Sequence, residues 1–291
     1  MKRNGFTLIE MLVVIGIIVV LAALIIPAAA NAVSSARNAT MGIEIGELQK
    51  AIERYKQEKG DYPPSMGEID AAGISLYLPA TRFTTVCERH LRKCYPKMTN
   101  SEKQFFYDEI APRLRGDEAL VFWLGMTQAD ERNPFTSRAA NYKSYFPFAQ
   151  ERLTDFDGDV FTGNGPDGQP LTMTFPSFKP RYAKETPYVY IDSRTYAMHR
   201  QKQYAIGGEV QAYFNENASS TATQQHYVNP TTFQIICAGQ DGEFGEAFDQ
   251  FDNNNVVLQP KRFKAGINYT GEDKDNLTNF GDGKRLVDHM P

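Results

Sequence analysis

The sequence predicts an α+β fold: a long N-terminal α-helix packed on a small antiparallel β-sheet. Three observations carry that prediction. Residues 11–36 hold no charged residue and are mostly Val, Ile, Leu and Ala. From Met41 the apolar residues fall at Met41, Ile45, Leu48, Ile52 and Tyr55, the alternation of four and three that makes one stripe on a helix. Much later, Tyr188–Ile191, Tyr204–Tyr213 (broken by Gly207-Gly208) and Thr232–Cys237 are short, aromatic or β-branched, and bounded by Pro, Asn or Gly. A long helix followed by such strands buries its stripe against one sheet face.

The helix is expected from Phe6 to Lys59, a rod of roughly 80 Å. About 20 apolar residues are enough to cross a hydrocarbon core, so residues 6–30 form a membrane-spanning part. Lys2 and Arg3 before it would stay cytoplasmic and the rest of the chain outside. The apolar stretch is longer than the roughly 7–15 residues of a secretory signal, although Ala28-Ala29-Ala30 offers a small-residue cleavage site and leaves that reading open. Glu10 places a carboxylate at the start of the run, where a lone charge is costly. Pro27 lacks a backbone N–H and is expected to bend or locally melt the helix. In the second half, Glu44, Glu47, Lys50, Glu53, Arg54 and Lys56 occupy the other faces. Gly60 ends the pattern and Pro63-Pro64 forbid its continuation.

The chain has 291 residues, with 31 Lys and Arg against 35 Asp and Glu. This mild acidity offers nothing to nucleic acid. Three cysteines are too few for a disulfide framework, though one bridge suits an oxidising compartment. No Gly-x-Ser-x-Gly, Walker loop, His-Glu-x-x-His or Cys-x-x-Cys is present, and His90, His199, His226 and His289 lie in no recognisable catalytic motif. An enzyme is therefore not expected; a tethered enzyme or binding domain is the alternative of another class.

The order of basic residues, Gly5-Phe6-Thr7-Leu8-Ile9-Glu10 and the apolar run from Met11 resembles the signal of type IV prepilins and type II secretion pseudopilins, over about thirty residues. The resemblance implies that a prepilin peptidase cuts between Gly5 and Phe6, removes a leader of residues 1–5 and methylates the Phe6 amine. It also implies that Glu10 attracts the cationic N-terminus of a neighbouring subunit during assembly, a pairing that sets axial register. Leu48 to Tyr55 leading into Gly60-Asp61-Tyr62-Pro63 is similar to the helix end and turn of the major pseudopilin. The implied partners are the peptidase, other pilin or pseudopilin subunits and an inner-membrane assembly platform. The chain would be a single-pass protein of the bacterial inner membrane, its extracytoplasmic domain running over 61–291 with an insertion at about 80–180. A type II secretion pseudopilus is favoured; a major or minor pilin of a type IV pilus is the alternative.

Three further clusters need weighing. Cys87, His90 and Cys94 share one face if their segment is helical. A structural zinc site wants four ligands, so packing or a disulfide is favoured over metal. A helix would hold the two cysteines about 10 Å apart along its axis, too far for a bridge, whereas a loop would allow one. Asp155-Phe156-Asp157-Gly158-Asp159 misplaces its glycine for an EF-hand and reads as a solvated acidic turn. The strand ending in Ala238-Gly239-Gln240-Asp241-Gly242 resembles the C-terminal calcium loop of major pseudopilins. That resemblance makes Asp241, with Asp249 or Asp252, the candidate calcium ligands. The sequence departs from the family after Gly242, and a plain surface turn is the competing reading. A helix is also expected near Ser101–Leu114.

Overall fold

The computed structural model describes residues 7–66, 80–127, 130–137, 144–156, 158–196, 203–205, 208–217, 226–246 and 260–291. Helix α1 runs over Leu8–Lys59. Its end follows from Gly60, whose φ of 85° is the left-handed value a β-carbon disfavours, and whose N–H donates to the Lys56 carbonyl at 2.7 Å. The helix stays helical through Pro27, so the local melting expected there is not found. Strong helix formers on both sides hold the ladder around the single missing donor.

The stripe is as expected. Met41, Ile45, Leu48, Ile52 and Tyr55 are all buried, joined by Asn38 and Ala51. Glu44 departs from the polar-face reading. It is largely covered, accepts two 2.6 Å bonds from the Arg152 guanidinium and a third of 2.6 Å from the Tyr188 hydroxyl. A carboxylate can leave water there because a bidentate fork and a hydroxyl replace it.

The next stretch is helical. α2 spans Ala80–Cys94 and α3 spans Asn100–Phe105. The chain then widens over Phe106–Ile110, where the Ala111 N–H reaches back to the Phe106 carbonyl, and tightens over Ala111–Arg113. That covers the helix expected at Ser101–Leu114. α4 follows at Gly116–Val121. These helices share one core with α1. Trp123, fully buried, stacks edge-on against His90 and Phe106 is tilted against Trp123, while Tyr55 lies parallel to the His90 ring.

Four short strands come next: β1 (Leu153–Thr154), β2 (Val160–Asn164), β3 (Pro170–Thr174) and β4 (Ser177–Phe178). β2 and β3 form a hairpin, and β1 pairs with β4, both antiparallel. The acidic turn between β1 and β2 is closed by the Gly158 N–H donating to Asp155 Oδ1 at 2.9 Å; Asp157 lies outside the described residues.

All three expected strand regions are present. β5 is Val189–Asp192, β6 (Gln203–Ala205) and β7 (Gly208–Val210) form a hairpin, and β8 is Phe233–Cys237. With β9 (Leu277–Thr278), β8 makes the centre of an antiparallel sheet ordered β5-β8-β9, in which Val189 faces Ile236 and Cys237 faces Leu277. Alternation sorts the side chains. Tyr188, Tyr190, Phe233, Ile235 and Cys237 join the α1 core. Val189, Ile191 and Ile236 join a second core with Val210, Tyr213, Phe214, Phe244 and Leu286. Gln234 points to that second side, where its amide donates to the Tyr213 and Val228 carbonyls at 2.9 Å each and accepts from the Tyr213 N–H at 2.8 Å. The sheet is thus covered on both faces, one more layer than expected.

Candidate functional site

The first half of α1 has no packing partner in the chain. Leu8 is 81 % exposed and Ile26 is 66 % exposed, and the large apolar residues between them are exposed too. The helix is long and apolar enough to cross a membrane, with none of its most apolar stretch buried. Monomeric soluble proteins rarely leave so continuous an apolar surface in water, so lipid or other apolar helices must cover it.

At its start Thr7 and Glu10 form a reciprocal cap. The Glu10 N–H donates to Thr7 Oγ1 at 3.3 Å, and the Thr7 N–H and hydroxyl each donate to Glu10 Oε2 at 2.8 Å. The carboxylate sits in the first turn, where the helix dipole favours negative charge. All three bonds use Thr7 Oγ1 or Glu10 Oε2, so the cap takes no bond to Glu10 Oε1. Gly5 and Phe6 lie outside the described residues.

The boundary between the bare and the covered half of α1 is set by one loop. Gln240 Nε2 donates to the Ser34 carbonyl (3.0 Å), the Ser34 hydroxyl (2.9 Å) and Asn38 Oδ1 (2.7 Å). The loop is held in turn by Asp275, whose Oδ2 accepts the N–H groups of Gln240 and Asp241 at 2.6 and 3.2 Å. Gly239 permits this at φ +67°, since a β-carbon there would lie 2.3 Å from the Asp275 carbonyl oxygen.

The far end of α1 is anchored by the turn after Gly60. Arg194 donates to Asp61 Oδ2 and to the Tyr62 carbonyl, each at 2.7 Å, and to Asp192 Oδ2 at 2.6 Å. The Pro63 carbonyl accepts from the Tyr190 hydroxyl, and the Pro64 carbonyl accepts from Trp123 Nε1. Every residue of the Asp61-Tyr62-Pro63-Pro64 turn is therefore tied to the sheet or the helical layer.

Asp241 lies on the same loop as Gln240. Its Oδ1 accepts the Glu243 N–H at 2.9 Å, and burial raises its pKa with help from the neighbouring Asp275 and Glu243 charges. Asp249 and Asp252 lie outside the described residues. Among the described residues no group of three or more His, Cys, Asp or Glu could hold a metal ion. Calcium needs six to eight oxygens, so Asp241 alone does not build the site.

Cys87, His90 and Cys94 all lie on α2, the helical case, and both cysteines are free thiols in the core. His90 Nε2 meets the Tyr55 hydroxyl at 2.9 Å, and Nδ1 meets Cys94 Sγ at 3.5 Å. Burial pushes both thiols up to about 12, which keeps them protonated and inert. The arrangement is one of packing.

Three contributors escaped the sequence reading: Gln240, Glu44 and Gly42. A β-carbon on Gly42 would lie 2.6 Å from the Gly283 Cα, so α1 and the C-terminal turn touch backbone to backbone. The local signal was a glycine beside the stripe inside a helical pattern, but Gly46 gives the same signal with nothing within 4 Å, so sequence alone does not single out Gly42.

Comparison with known proteins agrees with the geometry at the N-terminus. Residues 1–26 match the family described as the Prokaryotic N-terminal methylation motif. No curated protein and no solved structure matches the chain. The matched segment carries the signal of type IV pilin-like substrates of prepilin peptidase, and it coincides with the bare apolar half of α1.

Proposed function

We propose that the chain is a structural subunit of a type II secretion pseudopilus, processed between Gly5 and Phe6 and assembled from the inner membrane into a filament that supports protein export. The observation that carries this reading is the division of α1. Its methylation-signal half exposes an apolar surface with Glu10 at the tip, and its second half is built into an α+β head. Such a subunit stores in lipid the surface it later packs against its neighbours. Glu10 then pairs with the Phe6 amine of the next subunit in apolar surroundings, where an unpaired carboxylate is costly. Pro27, in the exposed half, lowers the cost of bending during that transfer.

The choice of pseudopilus over pilus is supported by the two resemblances in the head. The Gly60-Asp61-Tyr62-Pro63 turn is the anchor of α1, and the Asp241-Gly242 loop is its clasp. Calcium at Asp241, with Asp249 or Asp252, belongs to the proposal as well, and its support is the resemblance of the Asp241-Gly242 loop alone. Calcium added to the full chain in detergent is expected to raise its melting temperature, and Asp241→Asn to abolish the rise; no rise in the parent chain contradicts the calcium part.

The filament type is tested by expressing the chain with the assembly components of a type II secretion system or of a type IV pilus, then labelling sheared filaments with antibody to the head. Labelled filaments with the secretion components alone support the reading, and labelled filaments with the pilus components alone contradict it.

A further inference from the structure

The second core holds a charged cluster that filament assembly does not use. Lys261 is 1 % exposed and Asp273 and Asn276 are fully buried. Lys261 Nζ donates to Asp273 Oδ1 at 2.6 Å and to the Phe244 carbonyl at 3.4 Å. Asn276 Nδ2 donates to the same carbonyl at 3.2 Å and to the Tyr213 hydroxyl at 3.1 Å. That hydroxyl in turn donates to Asp273 Oδ1 at 3.0 Å. Five polar atoms thus close one ring: the Lys261 amine, the Asp273 oxygen, the Tyr213 hydroxyl, the Asn276 amide and the Phe244 carbonyl. The amine and the carboxamide are next-nearest neighbours across a single shared oxygen.

Two features make this ring unlike an ordinary buried ion pair. The Asn276 Oδ1 is buried with no hydrogen-bond partner among the described residues, a state that carries the desolvation cost of an unsatisfied acceptor. The surroundings are aromatic, with Tyr269 and Phe280 edge-on against Tyr213. A buried ammonium and carboxylate seldom recover their desolvation cost. Burial lowers the pKa of Lys261 against the pull of Asp273, which brings the neutral amine within reach. Asp273 Oδ2 is meanwhile fixed by the N–H and hydroxyl of Thr270, so Oδ1 stays aimed at the amine.

We propose that Lys261 and Asn276 become joined by an intramolecular isopeptide bond, with Asp273 as the proton acceptor. The Lys261 ammonium gives one proton to Asp273. The freed amine then attacks Asn276 Cγ, forming the Nζ–Cγ bond as the Cγ–Nδ2 bond breaks. A second proton passes from Nζ to Nδ2, which leaves as ammonia. The products are a secondary amide, a neutral Asp273 carboxylic acid and one ammonia, balancing the ammonium, carboxylate and carboxamide at the start. No oxidant or cofactor is needed. The product removes both buried charges. The link ties the segment at Lys261 to the residue preceding β9, and so locks the second core to the sheet.

The test is intact-mass and peptide mass spectrometry on the full chain extracted in detergent. The expected result is a mass short by one ammonia, with Lys261 and Asn276 in one branched peptide. Lys261→Arg keeps the charge without the nucleophile and is expected to restore the full mass. Asp273→Asn is expected to restore it with both reacting side chains in place. A full-mass parent chain with Lys261 and Asn276 in separate linear peptides overturns the proposal. So does a loss of water with Lys261 bonded to Asp273 instead. Neither result depends on whether the chain forms filaments.

Discussion

The side-chain amide of Gln240 grips Ser34 across 206 positions of sequence, donating to its carbonyl at 3.0 Å and to its hydroxyl at 2.9 Å. This contact marks where α1 passes from bare to covered, and its third bond, to Asn38, extends the grip by one helical turn. Gln240→Ala removes three hydrogen bonds and leaves the amide of Asn38, a buried residue, short of a partner. The expected loss is about 1–2 kcal/mol of local stability. Hydrogen exchange on the full chain in detergent checks it: protection should fall around residues 34–41 while the β5-β8-β9 sheet keeps its own.

The glycines of α1 separate packing from propensity. A β-carbon at Gly42 meets the Gly283 backbone at 2.6 Å, whereas one at Gly46 meets nothing within 4 Å. Gly42→Ala should therefore destabilise by about 1–3 kcal/mol through forced separation of α1 and the C-terminal turn. Gly46→Ala should stabilise the detergent-solubilised monomer by up to about 1 kcal/mol from helix propensity alone. Denaturation midpoints of the two variants should move in opposite directions.

Two buried groups give opposing pH dependences. Burial holds His90 well below 6.5, with the Arg194, Lys59 and Arg89 charges adding to it. As pH falls below about 6.5 the unfolded chain takes up a proton that folded His90 refuses, so stability drops. Burial pushes Asp192 up to about 6, against the pull of Arg194. Between about pH 6 and 4 the folded chain then holds a proton its unfolded form lacks, so this group adds stability as pH falls. His90→Gln should remove the acid-side loss, and Asp192→Asn should steepen it. Melting curves at a series of pH values check both signs, and equal slopes in the parent chain and the two variants would contradict them.

In the proposed filament Glu10 acts outside the folded head. Its only described bonds are to Thr7 in the exposed first turn. Glu10→Gln should leave the melting temperature of the head and the membrane fractionation unchanged, yet abolish or strongly reduce filament formation. Sheared filaments from cells expressing the variant provide the count.

What the sequence disclosed depends on how local each cause is. The α1 stripe from Met41 to Tyr55 and its stop at Gly60 could be read because periodicity and breakers act within a few residues. The fate of Glu44 could not, since its partner Arg152 lies 108 positions away. The same holds for Gln240, whose targets precede it by more than 200 positions. The second layer did leave a trace: Tyr188-Val189-Tyr190-Ile191 and Ile235-Ile236-Cys237 are apolar on both alternating faces, the mark of a strand covered twice. The β2–β3 hairpin was signalled by Asp167-Gly168, where Gly168 turns at φ +76° and its N–H donates to the Gly165 carbonyl at 2.9 Å. The candidate site divides in the same way. The Gly5-Phe6 and Glu10 signal is contiguous and could be read directly, whereas the clasp that sets the length of the bare helix is tertiary.

The most direct test of the central claim is mass spectrometry of the N-terminal peptide from the full chain expressed with and without a prepilin peptidase. The expected result is a peptidase-dependent N-terminus at Phe6 carrying one N-methyl group. A chain that keeps Met1 in both cases, or is cut near Ala30 in both, would contradict it.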